Sequence, residues 1–364
     1  MKKICLTVTT DLSYDQRMIR ICSSLSAAGY DVLLVGRKKK NSLSPAPQPY
    51  QQKRLYTIFE KGKLFYMEYN TRLFFFLLMR QTDLFCAIDL DTILPVWIAS
   101  LLKRKPRVYD AHELFCEMKE VVTRPAIHRI WKKIEKTCVP RFKHGYTVNQ
   151  PIADEFRKMY GVDYGIIRNV PFLLPLNPTP SPERFIIYQG SVNEGRSFET
   201  LIPAMQWVDA PLLICGDGNF MEQLKDLIKK YSLSSKIVLK GLVQPAELRL
   251  LTQKALAGIT LFENNGKSNY LSLANRFFDY IHAGIPQLCV DYPAYRKINN
   301  QLQIAVVTED LSAENIARLL NRLISDEPLR SRLRRNCLEL REQINWEKEE
   351  QGLLLFYKKI FETV

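Results

Sequence analysis

Short apolar runs alternate with helical patterns along almost the whole chain, and this alternation limits the possible fold more than any other feature. Each apolar run has the length of one buried strand and ends in a polar or glycine-containing turn before the next helical pattern. Strands that are separated by helices pair in parallel, because the helix returns the chain to the same end of the sheet. The alternation therefore predicts an α/β protein with doubly wound parallel sheets.

The alternation is interrupted once, by a segment that contains five prolines between Pro171 and Pro182. Proline lacks the backbone N–H that central strands and helix interiors require, so this segment is predicted to be a linker. At 364 residues the chain is also long for a single core. We therefore predict two domains with a cleft between them, at 1–172 and 184–342, joined by a linker at 173–183 and followed by a C-terminal helix in 343–364 that can cross back to the first domain.

A helix with two marked ends is predicted in the second domain, between two apolar strands. Ser272 is a good N-cap residue, and Gly284 followed by Pro286 is a typical helix stop. In such a unit, ligands bind beyond the carboxyl ends of the strands, where the unpaired N–H groups of a helix attract anions. The pattern therefore predicts a phosphate-binding helix N-terminus.

Polar residues form one stripe on this otherwise apolar helix. Asn275, Asp279 and His282 are spaced at i, i+4 and i+7, which places them on the same face. The loop before the helix contains Lys267 among small polar residues, a composition typical of a phosphate-facing turn. The alternative is that Asn275 and Asp279 are only solvated positions on a core helix.

Two further turns of the second domain have the composition of ligand-binding turns. Gly190 and Ser191 open a turn that ends at Arg196, and Gly216 opens the turn after the next strand. Glycines at a strand-to-helix turn with a terminal arginine suit contact with a phosphate. No G-x-G-x-x-G occurs, which disfavours a dinucleotide-dependent dehydrogenase.

The first domain contains a histidine between two carboxylates, Asp110-Ala111-His112-Glu113, directly after a predicted strand. This position suits hydrogen bonding to a polar ligand or proton transfer. The alternative interpretation is that Asp110 caps a helix and His112 is merely exposed.

Cysteine usage and the lengths of the apolar runs exclude several classes of protein. Eight cysteines occur without a C-x-x-C pair, which indicates reduced thiols in a reducing compartment rather than disulfides or a zinc site. The first apolar run stops too early for a signal peptide and is predicted to be a strand. The longest apolar run, 73–79, is far shorter than the roughly 20 residues that span a bilayer.

The net charge of +14 is confined to one half of the chain. Residues 1–175 contain 29 Lys+Arg and 16 Asp+Glu, whereas residues 176–364 contain 23 and 22. Seven of these basic residues lie in 124–143, which is predicted to be a basic amphipathic helix that presents Lys132, Lys133 and Lys136 beside Trp131. Such asymmetry indicates an anionic surface as the partner of the first half. The alternative is that the helix is solvated and its charge only aids solubility. Nucleic acid is disfavoured, because the basic region lacks interleaved aromatic residues.

Taken together, these residues resemble the retaining glycosyltransferases of GT-B fold, in the group that assembles bacterial capsular and lipid-linked glycans. The resemblance covers nearly the whole chain and implies two Rossmann-like domains facing a cleft. Ser272-Leu273-Ala274-Asn275-Arg276-Phe277-Phe278-Asp279-Tyr280 fits a variant motif of similar enzymes, S-x-x-N-[KR]-x-x-[ED]-Y. It is followed by Ala283-Gly284-Ile285-Pro286, where the family has A-x-G-x-P.

The resemblance implies roles for individual residues. Asp279 matches the carboxylate that holds the ribose, and Arg196 the diphosphate-binding lysine. His112 matches a histidine near the sugar. The resemblance also implies that further residues bind the donor, namely Gly190, Ser191, Gly216, Leu242, Val243, Lys267, Ser272 and Asn275.

Two positions depart from the family pattern. Ser191 stands where the family has a second diphosphate-binding arginine, and Lys267 is a possible substitute by proximity. Leu271 stands where the family has a carboxylate that contacts the donor sugar. These departures put the identity of the donor sugar in question.

The resemblance implies transfer of a sugar from a nucleotide-sugar donor to a glycan or lipid-linked acceptor, with retention, in cell-surface polysaccharide synthesis. The nucleotide sugar is a substrate, no cofactor is implied, and no metal is expected, because the second domain lacks a D-x-D on a donor-side loop. The charge predicts a cytoplasmic enzyme attached peripherally to the anionic inner face of the membrane, with no nucleic-acid partner. The alternatives are a nucleotide-sugar epimerase of the same fold and a non-catalytic glycosyltransferase-like scaffold.

Overall fold

The structure is a computed structural model that describes residues 1–13, 15–40, 42, 44–176 and 183–363. It divides into two compact units, the first comprising Met1–Asn169 and Lys348–Val364, and the second Val170–Glu347. The chain thus passes from the first unit to the second at 169/170 and returns to the first at 347/348, a few residues from the predicted domain limits. Residues 177–182 of the predicted linker lie outside the described residues.

The first unit contains a seven-stranded parallel sheet in the order β3-β2-β1-β4-β5-β6-β7. Its strands are β1 (Lys3–Thr7), β2 (Asp31–Lys38), β3 (Gln51–Tyr56), β4 (Leu84–Ile88), β5 (Arg107–Ala111), β6 (His144–Thr147) and β7 (Gly165–Ile166). Ile4 of the central strand lies opposite Val32 on one side and Leu84 on the other. Arg37 and Lys38 are the last two residues of β2.

Helices connect these strands. They are α1 (Gln16–Ala27), α2 (Gly62–Met79), α3 (Ile93–Leu102), α4 (Lys119–Val122), α5 (Pro125–Cys138) and α6 (Gln150–Tyr160). Two of them begin at side-chain caps, since Asp15 accepts a hydrogen bond from Met18 N and Asn149 accepts one from Ile152 N. The basic helix is shorter than the predicted 124–143, because α5 ends at Cys138 and Val139–Arg141 form a separate 3₁₀ turn.

The second unit contains a six-stranded parallel sheet in the order β10-β9-β8-β11-β12-β13. Its strands are β8 (Ile186–Gln189), β9 (Leu212–Cys215), β10 (Ile237–Gly241), β11 (Ala257–Thr260), β12 (Gln287–Val290) and β13 (Ala305–Thr308). In each sheet the strand order reverses beside the first strand of the unit, β1 or β8, as in doubly wound folds. The predicted α/β fold class, with two Rossmann-like units, is confirmed.

The helices of the second unit cover both faces of this sheet. They are α7 (Phe198–Ala204), α8 (Met221–Lys230), α9 (Pro245–Lys254), α10 (Lys267–Leu271), α11 (Asn275–Ala283), α12 (Pro293–Gln301), α13 (Ala313–Ser325) and α14 (Glu327–Arg341). The core is apolar, and Phe277 and Ile281 of α11 are fully buried in it. Burial of this face positions the polar face of α11 at the edge of the sheet.

The last helix, α15 (Trp346–Thr363), contributes its residues from Lys348 onward to the first unit. Tyr357 lies with its hydroxyl 3.3 Å from that of Tyr146 on β6, and Arg168 N donates to Glu349 Oε2 at 2.8 Å. Within the part of the chain that the structure describes, no helix combines the length and apolarity that a membrane span requires. The eight cysteines are buried and free, as predicted.

Candidate active site

Three turns of the second unit lie side by side at the carboxyl edge of its sheet. Gly190 N donates a hydrogen bond to Cys215 O at 3.0 Å, and Gly216 N donates to Gly241 O at 2.8 Å. A Cβ atom on Gly216 would lie 1.8 Å from Gly190 O, so only glycine fits at this position. The structure therefore brings the predicted residues Gly190 and Gly216 into direct contact.

Three further predicted residues lie on these turns. Ser191 is exposed, and its carbonyl accepts a hydrogen bond from Tyr188 Oη at 2.7 Å. Leu242, directly after β10, is 74% exposed, and Val243 beside it is half-buried. An exposed leucine at an otherwise polar edge offers an apolar surface to a planar ring.

Arg196 is half-buried at the end of the Gly190 turn, where it contacts the segment that precedes α11. Its Nη1 donates to Asn269 Oδ1 at 3.2 Å, and its guanidinium carbon lies 4.6 Å from the centroid of the Phe262 ring. Glu263 N also donates to Gly195 O at 3.0 Å. Arg196 is therefore held at the same edge as the glycine turns.

The segment before α11 differs from the sequence prediction. Lys267 is the exposed first residue of the short helix α10, not part of a loop. Ser272 ends α10 and bonds back to Asn269 O at 2.8 Å, so it does not cap α11. Helix α11 begins three residues later, with Ala274 at its N-cap and no side-chain cap. The prediction that Ser272 is the N-cap was wrong, because its hydroxyl closes the preceding turn instead.

Asp279 lies close to the end of β8. Its Oδ2 accepts a hydrogen bond from Gln189 Nε2 at 2.8 Å, and Gln189 Oε1 accepts one from Thr252 Oγ1 at 2.7 Å. Asn275 is exposed in the first turn of the same helix. Both residues therefore lie at the edge where the glycine turns lie.

His282 does not belong to this polar stripe. It is buried, and its Nε2 lies 2.8 Å from Ile344 O, on the segment after α14. Burial lowers the pKa of His282 to about 4, so it is neutral at physiological pH. The predicted stripe therefore holds for Asn275 and Asp279 only, and His282 serves packing.

A basic residue of α11 that the sequence analysis did not place in the site lies at the same edge. Arg276 is 6% exposed, and its Nη1 donates to Tyr188 Oη at 3.0 Å. Its guanidinium carbon lies 4.5 Å from the Tyr188 ring centroid and 4.6 Å from that of Phe262. Phe262 therefore contacts both Arg196 and Arg276.

In the first unit, His112 lies among carboxylates at the carboxyl edge of the sheet. Its Nδ1 lies 3.0 Å from Asp89 Oδ2, its Nε2 lies 3.2 Å from Asp110 Oδ2, and its backbone N–H donates to Asp89 Oδ1 at 2.9 Å. Asp110 is buried and paired with Arg17, whose Nη2 donates to Asp110 Oδ1 at 2.8 Å. Asp110 is therefore not a helix cap, and this alternative interpretation was wrong.

These contacts fix the charge states of the cluster. Burial alone would lower the pKa of His112, but the charges of Asp89 and Asp110 outweigh it and raise the pKa to about 10. Burial raises the pKa of Asp110, but Arg17 and His112 lower it to about 2. At neutral pH His112 is protonated and can donate a hydrogen bond, but it is not a base.

Asp91 is the carboxylate of this cluster that titrates near neutrality. It follows Asp89 by two residues and accepts a hydrogen bond from Thr9 Oγ1. Burial and the charge of Asp89 together raise the pKa of Asp91 to about 7. Asp89 itself has a φ of 55°, a strained value for a residue other than glycine. The turn after β4 therefore holds two carboxylates close together. One of them, Asp89, has a strained backbone conformation that costs folding energy.

The residues of the second unit match a known family. Residues 176–339 match the model of the glycosyl transferases group 1 family. This part of the chain therefore resembles a group 1 glycosyltransferase domain. It contains each donor-side residue named above, and the chain that carries it is a glycosyltransferase. A comparison with curated proteins found no match.

Solved structures share the GT-B fold of this glycosyltransferase. Sucrose-phosphate synthase from Thermosynechococcus elongatus superposes with a TM-score of 0.79 at 15% identity, and the alignment covers 100% of both chains. HepE from Anabaena, in complex with UDP and glucose, has a TM-score of 0.76 at 13% identity over 99% of this chain and 100% of that one. WaaG, a glycosyltransferase involved in lipopolysaccharide biosynthesis, has a TM-score of 0.74 at 15% identity over 98% and 99%.

The candidate site thus contains residues that sequence reasoning found and residues that it missed. Gln189, which holds Asp279, and Arg276 were both missed. Arg276 could have been found, because it occupies the basic position of the motif that ends in Asp279. Gln189 has no such signal, since its role depends on the distance between β8 and α11.

Proposed function

We propose that this glycosyltransferase transfers a sugar from a nucleotide-sugar donor to a glycan or lipid-linked acceptor, with retention, in cell-surface polysaccharide synthesis. One observation carries the donor half of this proposal. The glycine turns at Gly190 and Gly216, the guanidinium of Arg196 and the carboxylate of Asp279 converge at one sheet edge. Glycine turns, a cation and a carboxylate are the groups that bind a diphosphate and the hydroxyls of a ribose.

The donor half has further support from the structural neighbours. HepE has been crystallised with UDP and with UDP-glucose. In the present enzyme, Asp279 would accept hydrogen bonds from the two ribose hydroxyls, and the exposed side chain of Leu242 would contact the base. Arg196 and the uncapped N–H groups of α11 would stabilise the charge that develops on the leaving diphosphate.

His112 is proposed to position the donor sugar or the acceptor. The charges of Asp89 and Asp110 keep its ring protonated. Both ring N–H groups face these carboxylates, so one of the two contacts would have to open for the ring to donate a hydrogen bond to a substrate hydroxyl. A retaining reaction needs no separate base if the leaving diphosphate accepts the proton of the acceptor hydroxyl. The protonated state of His112 is compatible with that mechanism.

The acceptor half rests on the surface of the first unit. With Lys348–Val364 included, this unit carries 32 Lys+Arg and 19 Asp+Glu, so it retains nearly all of the net charge. Ile127 and Ile130 of α5 and Met67 and Phe75 of α2 are exposed apolar residues of the same unit. Apolar side chains among cations suit an anionic bilayer, which supports a peripheral enzyme at the inner face of the membrane with a lipid-linked acceptor.

A ligand screen followed by a turnover assay tests this function. The melting temperature of the purified protein is measured with UDP, ADP and GDP, because a ligand that binds only the folded state raises it. The corresponding nucleotide sugars are then incubated with the enzyme, with and without membrane lipid extract as acceptor. We expect one nucleoside diphosphate to raise the melting temperature, and donor consumption only with acceptor.

The same assay separates the alternative functions. Donor consumption without acceptor and without free nucleotide release would identify an epimerase. Binding without turnover in either reaction would support the non-catalytic scaffold, an alternative that the buried Leu271 in place of a carboxylate favours. Absence of binding by all three nucleotides would contradict a nucleotide-sugar function.

A further inference from the structure

Arg276 is a buried cation whose hydrogen-bonding capacity is only partly used. Nη1 donates to Tyr188 Oη at 3.0 Å and lies 3.4 Å from Gln189 O. Nε and Nη2 are shielded from solvent and have no hydrogen-bond partner among the described residues. A buried charge with unfilled donors is costly unless an anion or acceptor pairs with it.

The protein around Arg276 supplies aromatic rings in place of a counter-charge. Its guanidinium lies over the rings of Tyr188 and Phe262, and neither Nε nor Nη2 has a hydrogen-bond partner among the described residues. Ring faces stabilise a cation without occupying its N–H groups. The stacking therefore holds the guanidinium and leaves two of its nitrogens for another acceptor.

Arg276 also lies beside the glycine turn that the proposed function assigns to the diphosphate. It is in the first turn of α11, behind an N-cap that has no capping side chain. A Cβ built on Gly190 would lie 3.4 Å from its Nη1, so it adjoins the first glycine turn. The second guanidinium at this edge, that of Arg196, lies 4.6 Å from the same Phe262 ring. Two cations on one ring match the two charged groups of a diphosphate.

We propose that Arg276 is the second diphosphate-binding cation of this enzyme. It replaces the arginine that the family has at the position of Ser191, and we prefer it to Lys267 in this role. The guanidinium turns its Nε and Nη2 toward the diphosphate oxygens, and α11 contributes its uncapped N–H groups. The assignment rests on the proposed nucleotide-sugar function, and it specifies how this chain compensates for Ser191. It also explains why the variant motif has a basic residue three positions before Asp279.

The test compares ligands that differ only in phosphate content. Dissociation constants for uridine, UDP and inorganic pyrophosphate are measured by calorimetry for the wild type, Arg276→Gln, Arg276→Lys and the exposed surface control Arg318→Gln. We expect Arg276→Gln to weaken UDP binding by roughly 10- to 100-fold and uridine binding by less than about 2-fold. Arg276→Lys keeps the charge but not the fork, and should weaken UDP binding by a smaller factor.

Each result decides between the proposals. A merely structural role for Arg276 would weaken uridine and UDP equally, and an unchanged ratio of the two affinities in both Arg276 variants would overturn the assignment. If Arg276→Gln does not fold, Arg276→Lys alone gives this ratio. If the wild type binds pyrophosphate through Arg276 but binds none of UDP, ADP and GDP, the anion site is retained and the nucleotide function is contradicted. If the wild type binds neither pyrophosphate nor any of these nucleotides, both the Arg276 assignment and the nucleotide function are overturned.

Discussion

Gln189 Nε2 donates a hydrogen bond to Asp279 Oδ2 at 2.8 Å, and this bond ties the end of β8 to α11. Gln189 is itself held by Thr252 Oγ1 at 2.7 Å, so three residues from β8, α9 and α11 form one chain of hydrogen bonds. The carboxylate that we assign to the ribose is therefore positioned by the strand that leads into the glycine turn.

Replacing Gln189 by leucine tests this positioning role. The variant keeps the side-chain volume but removes the hydrogen bond to Asp279, which is worth about 1.5–3 kcal/mol when the acceptor is charged. We expect uridine and UDP to lose affinity by the same factor, roughly 10- to 150-fold, because both contain the ribose. This pattern differs from that of Arg276→Gln. A loss confined to UDP, measured by calorimetry, would contradict the positioning role.

Asp91 makes the stability of the first unit depend on pH. Its pKa is raised from 3.8 to about 7, so between these values the unfolded chain is ionised while the folded one is protonated. Stability therefore falls as the pH rises through this window, and the loss is complete above about pH 7. Asp91→Asn removes the ionisable group, and we expect it to be more stable than the wild type by roughly 1–2 kcal/mol at pH 8 and nearly equal at pH 4. Urea denaturation at both pH values, with the exposed Asp163→Asn as control, measures this. Equal differences at the two pH values would refute it.

Membrane attachment should depend on the exposed cations of α5. Lys132 is not one of them, because it pairs with Glu117 at 3.0 Å and with the buried Glu135 at 2.8 Å, which corrects the sequence prediction. Arg129, Lys133 and Lys136 are exposed. Each cation near an anionic leaflet contributes about 1 kcal/mol, so reversing all three to glutamate should weaken binding by at least about 100-fold.

Vesicle co-sedimentation measures this attachment. Binding should require anionic lipid and fall at high salt, because screening weakens it. The control reverses three exposed cations of the second unit, Lys229, Lys230 and Arg318, and should leave binding unchanged. Equal binding to neutral and anionic vesicles would remove the electrostatic basis of the proposal.

Donor binding is expected to persist without a divalent metal. The D-x-D triplet of the chain lies in the first unit, where Asp89 contacts His112 and Asp91 contacts Thr9. Two guanidiniums and a helix N-terminus can neutralise a diphosphate without a metal ion. Activity should therefore remain in excess chelator. Complete loss that magnesium or manganese restores would refute this expectation.

The sequence predicted the parallel architecture because buried strands such as Leu212–Cys215 are continuous apolar runs. It missed Gln51–Tyr56, which is polar and pairs with only one neighbour at the sheet edge, so apolar periodicity does not mark it. In the candidate site, Arg276 was missed although it occupies a motif position, and its burial depends on two aromatic rings 14 and 88 positions away in the chain. Contacts between residues so far apart in the sequence leave no local pattern from which they could be predicted.

The central claim is that the second unit binds a nucleoside diphosphate through Asp279 and Arg196. Calorimetric titration of the wild type, Asp279→Ala and Arg196→Ala with UDP, ADP and GDP tests it most directly. We expect the wild type to bind at least one of them and each variant to lose about 1.5–3 kcal/mol of binding free energy while remaining folded. Folded variants that bind the same nucleotide as tightly as the wild type would contradict the claim.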